Sequence, residues 1–191
     1  MTAFEFVFAL ITIVTSLALT HLLAGFIDVL RNAERVRLSW VHGLWAWSAM
    51  LLTIGNWASF WEMRSLTQWP AWTVLLGVAV MIALYVFCGL VTPDLHAAAD
   101  MDLKDFHQRA HHRYALAAAI MFAVSIAANT AMGGAGLYAS WMRDNVVSIL
   151  GLVLGLLAYF IHAAWAQASA AALMASLATY YAIITCNVVS A

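Results

Sequence analysis

The first long apolar run of the chain contains a histidine and an aspartate where ionisable side chains are otherwise absent. Between residues 6 and 30 the only ionisable side chains are His21 and Asp28. Seven positions amount to about two helical turns, so the pair shares one helix face at a separation of roughly 10 Å. Histidine titrates near neutral pH and commonly binds metals, so this pattern is typical of proton transfer or metal binding.

Further polar residues in apolar surroundings extend this set of candidates. The residues predicted to form a polar pathway or binding site are His21, Asp28, His42, Thr53, Asn56, Asn129 and His162. The residues predicted for a metal or haem site are His21, His42, Asp94, His96 and His162. Ionisable groups inside a membrane are expensive, so each is a functional candidate. The competing interpretation is that each is hydrogen-bonded to loops and lipids at the interface.

Two classes of function remain open at this point. The first is a non-enzymatic membrane protein that binds or conducts a small ion, proton or polar solute. The path would run from the outer face, past Ser16, Thr20, Ser125 and Asn187, to a polar cluster near the cytoplasmic face. The alternative is a redox protein that holds haem b between histidines at similar depth, or a divalent metal with Asp28 or Asp94 as carboxylate ligands.

Catalytic motifs are absent from the sequence. There is no H-E-x-x-H, CxxC, GxSxG or P-loop, so no catalytic residue is assigned and the question of enzyme activity stays open. His107 and His111 have the i,i+4 spacing of metal ligands, but Arg109 and Arg113 lie among them, and the pair is predicted to be an ordinary surface pair. The single lysine, Lys104, lies in a loop, which excludes a retinal Schiff base within a helix.

The composition is that of an integral membrane protein. Of 191 residues, 65% are hydrophobic and 9% are charged, and the mean hydropathy is +0.90. Soluble domains carry about a quarter charged residues. The net charge of −1 and the lack of a basic patch argue against a nucleic-acid partner. The predicted partner is therefore the lipid bilayer, and the ligand is unknown.

Apolar runs long enough to span a bilayer predict the fold. About 20 apolar residues are needed for one span, and strand-like alternation is absent. The predicted spans are 4–30, 39–61, 70–92, 114–139, 145–164 and 167–189. The sequence thus predicts an all-α, six-transmembrane-helix bundle that forms one integral membrane domain over residues 1–191, with no cleaved signal.

The long connection between helices 3 and 4 predicts a short surface helix. Thr92 followed by Pro93 is typical of a helix start. Asp102 with Asp105 resembles a capping box that opens a helix over residues 102–113. A narrow apolar stripe on this segment predicts a cytoplasmic interfacial helix that lies along the membrane.

The distribution of basic residues predicts the orientation. Six of the eight basic residues fall in the loops after helices 1 and 3, namely Arg31, Arg35, Arg37, Lys104, Arg109 and Arg113. Arg64 and Arg143 fall on the other side. The positive-inside rule then places both termini outside and the loops after helices 1, 3 and 5 in the cytoplasm. With this topology all seven histidines lie in the cytoplasmic leaflet or at its margin.

Stripes of small and polar residues predict how the helices pack. On helix 2 a side with Trp40, Trp47, Trp57 and Trp61 is predicted to face lipid or a neighbour. The opposite side, with His42, Ala46, Ala49, Thr53 and Asn56, is predicted to face the interior. The predicted stripe of helix 4 is Ala118, Ser125, Asn129 and Gly136. That of helix 5 is Ser148, Gly151, Gly155 and His162. That of helix 6 is Ser169, Ala172, Ser176, Ile183 and Asn187.

The small-residue faces also bear on assembly and on the cysteines. Gly151 and Gly155 form a GxxxG that serves either within a subunit or between subunits, and a homo-oligomer is expected. Cys88 and Cys186 fall near opposite ends of the bundle. They are therefore predicted to be unbridged, buried residues.

The stretch FEFVFALITIVTSLALTHLLAGF, followed by VHGLWAWSAMLLTIGNWASFW, resembles a family of small bacterial polytopic membrane proteins without an assigned activity. The resemblance covers mainly residues 4–61. It implies a multi-pass protein of the plasma membrane, which in bacteria is the inner membrane. It implies no activity, cofactor or site residue.

Overall fold

The computed structural model describes residues 2–65, 69–94, 101–132 and 138–189, and it is all-α in character. The described part contains six long helices. They are α1 (Ala3–Arg31), α2 (Trp40–Ser59), α3 (Ala71–Val91), α4 (Leu103–Met132), α5 (Tyr138–Phe160) and α6 (Ala164–Val189). A short 3₁₀ helix, Phe60–Ser65, extends α2. Two-residue strands, β1 (Val36–Arg37) and β2 (Met101–Asp102), pair in parallel and connect the loop after α1 to the start of α4.

Five helices in the described ranges are long and apolar enough to cross a membrane. The candidate spans are Phe4–Arg31, Ala71–Val91, Leu103–Ala131, Trp141–Phe160 and Ala164–Asn187. The chain is therefore consistent with an integral membrane protein. The remaining helix, α2, is 20 residues long, which gives a length of about 30 Å. Its buried His42, Ser48, Thr53 and Asn56 lower its hydropathy.

The helix boundaries follow from local capping. At the start of α1, the Thr2 hydroxyl accepts a hydrogen bond from the Glu5 backbone N–H (3.2 Å). The Glu5 carboxylate accepts one from the Thr2 N–H (2.8 Å), so this is a complete capping box. The helix α3 follows Pro70, whose carbonyl accepts from the Thr73 N–H (2.9 Å). Only residues 161–163 separate α5 from α6.

The helix α2 lies at the centre of the packing. It contacts α1, α3, α4 and α6, and its most extensive contact is with α6. The other strong contacts are α4 with α5, α3 with α4, and α1 with α3. Trp45, Ala49 and Leu52 of α2 are almost completely buried. Because its neighbours bury one side of α2, polar residues such as Thr53 and Asn56 lie in the interior of the bundle.

The GxxxG of α5 packs within the subunit. A side chain at Gly151 would overlap the ring of Phe122 on α4. A Cβ at Gly155 would lie 3.2 Å from the Ala115 carbonyl oxygen and 3.2 Å from the Ala119 nitrogen. The two glycines thus let α5 approach the α4 backbone closely. The sequence left open whether this motif packs within a subunit or between subunits, and the structure supports packing within the subunit.

The region between α3 and α4 differs from its prediction. Residues 102–113 are not a separate interfacial helix, because α4 is continuous from Leu103 to Met132. This segment contains no proline or glycine, and its alanine-rich sequence favours an uninterrupted helix. The predicted helix start at Thr92 and Pro93 is not found at Pro93 and Asp94, which lie outside any helix, and residues 95–100 lie outside the described part of the chain. Thr92 is the extended C-cap of α3, and its hydroxyl donates to the Cys88 carbonyl (2.9 Å).

Other expectations about this end of α4 and about the cysteines have mixed outcomes. The predicted cap at Asp102 is confirmed, because its carboxylate accepts from the Lys104 backbone N–H (2.8 Å). Cys88 and Cys186 are unbridged, as predicted. Cys88 is buried, whereas Cys186 is exposed. The prediction that both are buried is therefore wrong for Cys186.

The predicted faces are correct for α2 and wrong for α6. On α2, Trp40 and Trp47 are exposed while Ala49, Thr53 and Asn56 are buried, so the interior side is confirmed. The predicted stripe of α6 is exposed at all five positions, Ser169, Ala172, Ser176, Ile183 and Asn187. The buried face instead contains Ala171, Met174, Ala175, Ala178 and Ala182. Both sides of α6 are rich in small residues, so residue size alone does not predict which side is buried.

Candidate functional site

One end of the bundle collects most of the histidines that the structure describes. The antiparallel connections bring the ends of α1, α3 and α5 together with the starts of α2, α4 and α6. Ring contacts confirm this arrangement. Trp45 of α2 lies against Phe87 of α3, with centroids 6.3 Å apart, and His42 of α2 lies edge-on to Phe106 of α4 at 5.2 Å. We call this region the histidine end.

The first three turns of α4 bury an unexpected polar stripe. Leu103, His107, His111 and Tyr114 are spaced three or four residues apart, so they share one helix face. Their exposed fractions are 4%, 6%, 6% and 0%. The basic residues of the same segment, Arg109 among them, lie on the exposed side. The prediction of an ordinary surface pair at His107 and His111 is therefore wrong.

The hydrogen bonds of this stripe define which imidazole nitrogens are available. The Tyr114 hydroxyl and His107 Nδ1 share a hydrogen bond. His111 Nδ1 lies 3.0 Å from the Gln108 carbonyl oxygen. Because a carbonyl only accepts, His111 Nδ1 carries the proton, and the Nε2 of the neutral ring presents a lone pair.

Several buried polar atoms at the histidine end have no hydrogen-bond partner within the described residues. They are His42 Nδ1, Trp45 Nε1, His107 Nε2, His111 Nε2 and Gln167 Oε1. A buried polar atom without a partner costs about 1–3 kcal/mol. Native proteins usually satisfy such atoms with ordered water or a bound ligand. Because these atoms are concentrated at one end of the bundle, we take this end as the candidate site.

The imidazole rings form a row that leads from the interior to the surface. The ring centroids of His107 and His111 are 5.6 Å apart, and those of His111 and His162 are 5.3 Å apart. His107 and His111 are buried, whereas His162, just after α5, is exposed. We call Tyr114, His107, His111 and His162 the histidine chain. It connects a fully buried hydroxyl to the outside of the bundle.

Two further polar residues border this chain. His42 is 4% exposed and lies within electrostatic reach of His107. Gln167 of α6 donates from Nε2 to the carbonyl oxygens of Ala158 (2.7 Å) and Ile161 (2.5 Å) at the end of α5. These bonds fix the short turn between α5 and α6. That turn holds His162 against His111.

The structure brings only part of the predicted polar pathway together. His42, Thr53 and Asn56 share the buried side of α2. Thr53 donates its hydroxyl to the Ala49 carbonyl (2.7 Å), and Asn56 donates its amide to the Leu52 carbonyl (2.9 Å). These two side chains are therefore bonded within their own helix, unlike the histidines near them.

His21 and Asp28, the ionisable residues of the first apolar run, are not part of the histidine chain. His21 is exposed on α1, with its ring 6.4 Å from that of Tyr85 on α3. Asp28 is half-buried near the end of α1. The other predicted members of the helix 1 stripe, Ser16 and Thr20, are exposed as well.

At the opposite end of the bundle, Asn129 belongs to a separate polar group. Its amide donates to the Asp144 carbonyl (3.2 Å) and to Asn145 Oδ1 (3.3 Å). Asn145, which is 1% exposed, in turn donates to the Trp141 carbonyl (3.0 Å). This group, which we call the asparagine end, was only half-identified from the sequence, because Asn145 was not recognised.

The residues predicted for haem or a metal are not assembled. In the described ranges, no group of three or more His, Cys, Asp or Glu side chains could hold a metal ion. His21 lies beside α3, His162 beside α4, and Asp94 is exposed. His96 lies outside the described residues. Two glycines near these histidines leave no open space for a macrocycle, since a Cβ at Gly25 would meet Thr92 and a Cβ at Gly155 would meet α4.

The sequence contained a signal for the residues that were missed. If the helix is continued through residue 113, then His107, His111 and Tyr114 fall in register with the buried Ala118 and Met121. Ending the helix at residue 113 removed that register. Gln167, by contrast, follows a three-residue turn and has no such periodic signal.

Comparisons with protein-family models, with curated proteins and with solved structures find no match to this chain.

Proposed function

We propose that this chain is an integral membrane protein that binds protons at the histidine chain near the cytoplasmic face of the membrane. The observation that carries the proposal is the row of imidazoles from buried His107 through His111 to exposed His162. Histidine is the side chain whose ordinary titration falls in the physiological range. A row that starts in the core and ends in water suits exchange of protons.

The tautomers suggest how the row works. His111 Nε2 presents a lone pair, so it is the proton acceptor. When the Tyr114 hydroxyl donates to His107 Nδ1, His107 Nε2 carries a hydrogen. His162 is the group through which a proton enters from the aqueous side.

The geometry favours binding at one face over conduction through the bundle. Leu52, Leu84, Met121 and Met174 are almost completely buried and belong to one apolar core. Thr53, which follows Leu52 on α2, already donates to its own helix. We therefore propose a proton-binding or proton-sensing role, with the site open to one side of the membrane.

We further propose that the bundle spans the membrane six times, with α2 as the sixth span. Its length matches the hydrocarbon core of about 30 Å. The histidine end also carries Arg31 at the end of α1, Arg35 in the loop that follows and Lys104 at the start of α4. The positive-inside rule assigns this end to the cytoplasm, with both termini outside. The proposed location is the plasma membrane, which is the inner membrane in a bacterium.

We propose a homo-oligomer as well. Ser16, Thr20 and His21 lie exposed on α1, one of the two least buried spans. An ionisable side chain that faces lipid is costly, so a second copy that covers this face would reduce the cost. Mass measurement in nanodiscs tests the proposal, and a single chain per disc at all loadings would contradict it.

Proton uptake by protein in nanodiscs tests the proposed function. A pH-indicator dye records the protons bound when the pH falls from about 8 to about 5, the interval in which histidine titrates. We expect His111→Gln to slow the uptake of protons, because it interrupts the row of rings between buried His107 and exposed His162. The control is His21→Gln, on the exposed face of α1, which should leave the rate of uptake unchanged. Equal rates in the two variants would contradict the proposal.

A further inference from the structure

The turn between α5 and α6 has no residue type that shapes a turn by itself. It consists of Ile161, His162 and Ala163, without a glycine, proline or asparagine. Helices commonly end at a glycine in the left-handed conformation, which lets the backbone satisfy the last carbonyl groups. The Leu157 carbonyl accepts from the Ile161 N–H (2.9 Å), but the carbonyls that follow it need other donors.

The side chain of Gln167, in the first turn of α6, supplies two of these hydrogen bonds. Its Nε2 lies 2.7 Å from the Ala158 carbonyl oxygen and 2.5 Å from the Ile161 carbonyl oxygen. Because carbonyls only accept, the amide must present its nitrogen to them. Its Oε1 is then left buried, without a hydrogen-bond partner in the described part of the chain. The two carbonyls thus fix the orientation of the amide, and the amide fixes the end of α5.

The position of His162 depends on these two bonds. One bonded carbonyl belongs to the residue before His162, and the other belongs to the residue one helical turn earlier. The His162 ring is exposed and lies edge-on to the His111 ring of α4, with centroids 5.3 Å apart. Ordering an exposed side chain costs conformational entropy. The ring therefore keeps this contact only while the backbone of the turn is held in place.

We propose that Gln167 is a positioning residue, whose amide holds His162 against His111 and thereby sets the rate at which protons reach the histidine chain. The inference rests on the proposed function, because it concerns access to the same site. Without the amide, the carbonyls of Ala158 and Ile161 lose a donor, and Ala158 is only 1% exposed. A buried carbonyl without a donor is costly. The turn then moves to satisfy these carbonyls, and it carries His162 away from His111.

Magnetisation transfer between histidine rings in nanodiscs tests whether Gln167 positions His162. In histidine-labelled protein, an NMR cross-peak between the His111 and His162 rings reports their contact. We expect this cross-peak in the wild type and its loss in Gln167→Met, which keeps the length of the side chain but cannot donate. Gln167→Leu is the second variant if Gln167→Met does not fold. The control is Ser169→Ala, an exposed position two residues further along α6, which should retain the cross-peak. A cross-peak that persists in Gln167→Met at wild-type intensity would overturn the inference.

The rate of proton uptake separates a positioning role from a purely structural one. We expect Gln167→Met to take up protons about tenfold more slowly than the wild type, a factor that corresponds to about 1.4 kcal/mol. The double variant Gln167→Met with His162→Gln should be no slower than His162→Gln alone, because Gln167 acts only through that ring. Additive slowing would mean that Gln167 acts on the bundle as a whole, which would overturn the inference.

The same rates distinguish failure of this inference from failure of the proposed function. If His162→Gln leaves the rate of uptake unchanged, the proposed function is contradicted, and this inference with it. If His162→Gln slows uptake and Gln167→Met does not, proton binding at the histidine chain stands and only this inference is overturned.

Discussion

Both ends of the bundle contain buried polar side chains, but the ends differ in whether these side chains have hydrogen-bond partners. At the asparagine end, Asn145 is bonded through both its amide nitrogen and its amide oxygen, and the indole N–H of Trp141 donates to the Thr130 hydroxyl (2.7 Å). At the histidine end, His107 and His111 each retain a buried nitrogen with no hydrogen-bond partner in the described part of the chain. Polar groups that the protein satisfies itself stabilise the fold. Groups that it leaves open are available to protons, water or a ligand.

The largest change comes from separating α5 from α4, because α5 connects the two ends. Gly155→Leu would drive a side chain into the Ala115 carbonyl and the Ala119 backbone, where the backbone has no freedom to yield. We expect the free energy of unfolding to fall by about 3 kcal/mol, as measured by titration with SDS. Gly43→Leu is the matched control, because a Cβ at Gly43 would meet no atom within 4 Å. Comparable destabilisation of both variants would contradict the close packing of α5 on α4.

Removing the central side chain of the asparagine end should be the next largest effect. Asn145→Leu leaves the Asn129 amide with one partner fewer and removes the bond to the Trp141 carbonyl. We expect a loss of about 2 kcal/mol in the free energy of unfolding. Proton uptake per folded molecule should be unchanged, since the histidine chain lies at the other end. A lowered uptake would show that the two ends are not separate.

Tyr114→Phe sharpens the contrast within the histidine end. The change preserves the ring packing against Trp45, whose centroid is 5.2 Å away, but leaves His107 Nδ1 without the hydroxyl. We expect a loss of about 1 kcal/mol in stability. We also expect the nitrogen chemical shifts of His107 to change in NMR spectra of histidine-labelled protein. Unaltered shifts would mean that the hydroxyl does not set the His107 tautomer.

The smallest change in stability is expected for His111→Leu. The substitution removes the bond from His111 Nδ1 to the Gln108 carbonyl, but it also removes Nε2, a buried nitrogen with no partner among the described residues. Because the two effects offset each other, the net change in stability is close to zero. We expect the midpoint of thermal unfolding to stay the same or rise, while proton uptake falls. A loss of stability as large as that of Asn145→Leu would mean that His111 is a structural residue like the asparagines.

The sequence predicted those features that depend on length and on a single dominant face. The apolar runs located the helices to within a few residues at most boundaries. The side of α2 that carries most of its tryptophans was predicted to face outward, and the opposite side is the buried one. It did not predict the inner face of α6, because small residues occur on both sides. It placed His21 at the correct end of α1 but could not reveal that the side chain points outward. The depth of a side chain in the bundle follows from its position along the helix. The direction in which the side chain points depends on which neighbouring helices pack there.

The burial of His107 and His111 could not be predicted for a different reason. Nearby arginines made the segment resemble a solvated helix, and only its continuity with the rest of α4 turns the histidines inward. Helix continuity depends on packing across α3, α4 and α5 as well as on local sequence. The sequence predicts His162 as a site residue, but it does not predict the partner that the ring contacts, His111 of α4.

The most direct test of proton binding at the histidine chain is nitrogen NMR of histidine-labelled protein in nanodiscs over about pH 5 to 8, the interval in which imidazoles titrate. The proposal predicts that His111 is protonated at Nδ1 at the upper end of this range and that its Nε2 signal moves as the pH falls. It also predicts that His162→Gln slows or shifts this change while His21→Gln does not. A His111 Nε2 signal that stays constant over the whole range would contradict the proposal.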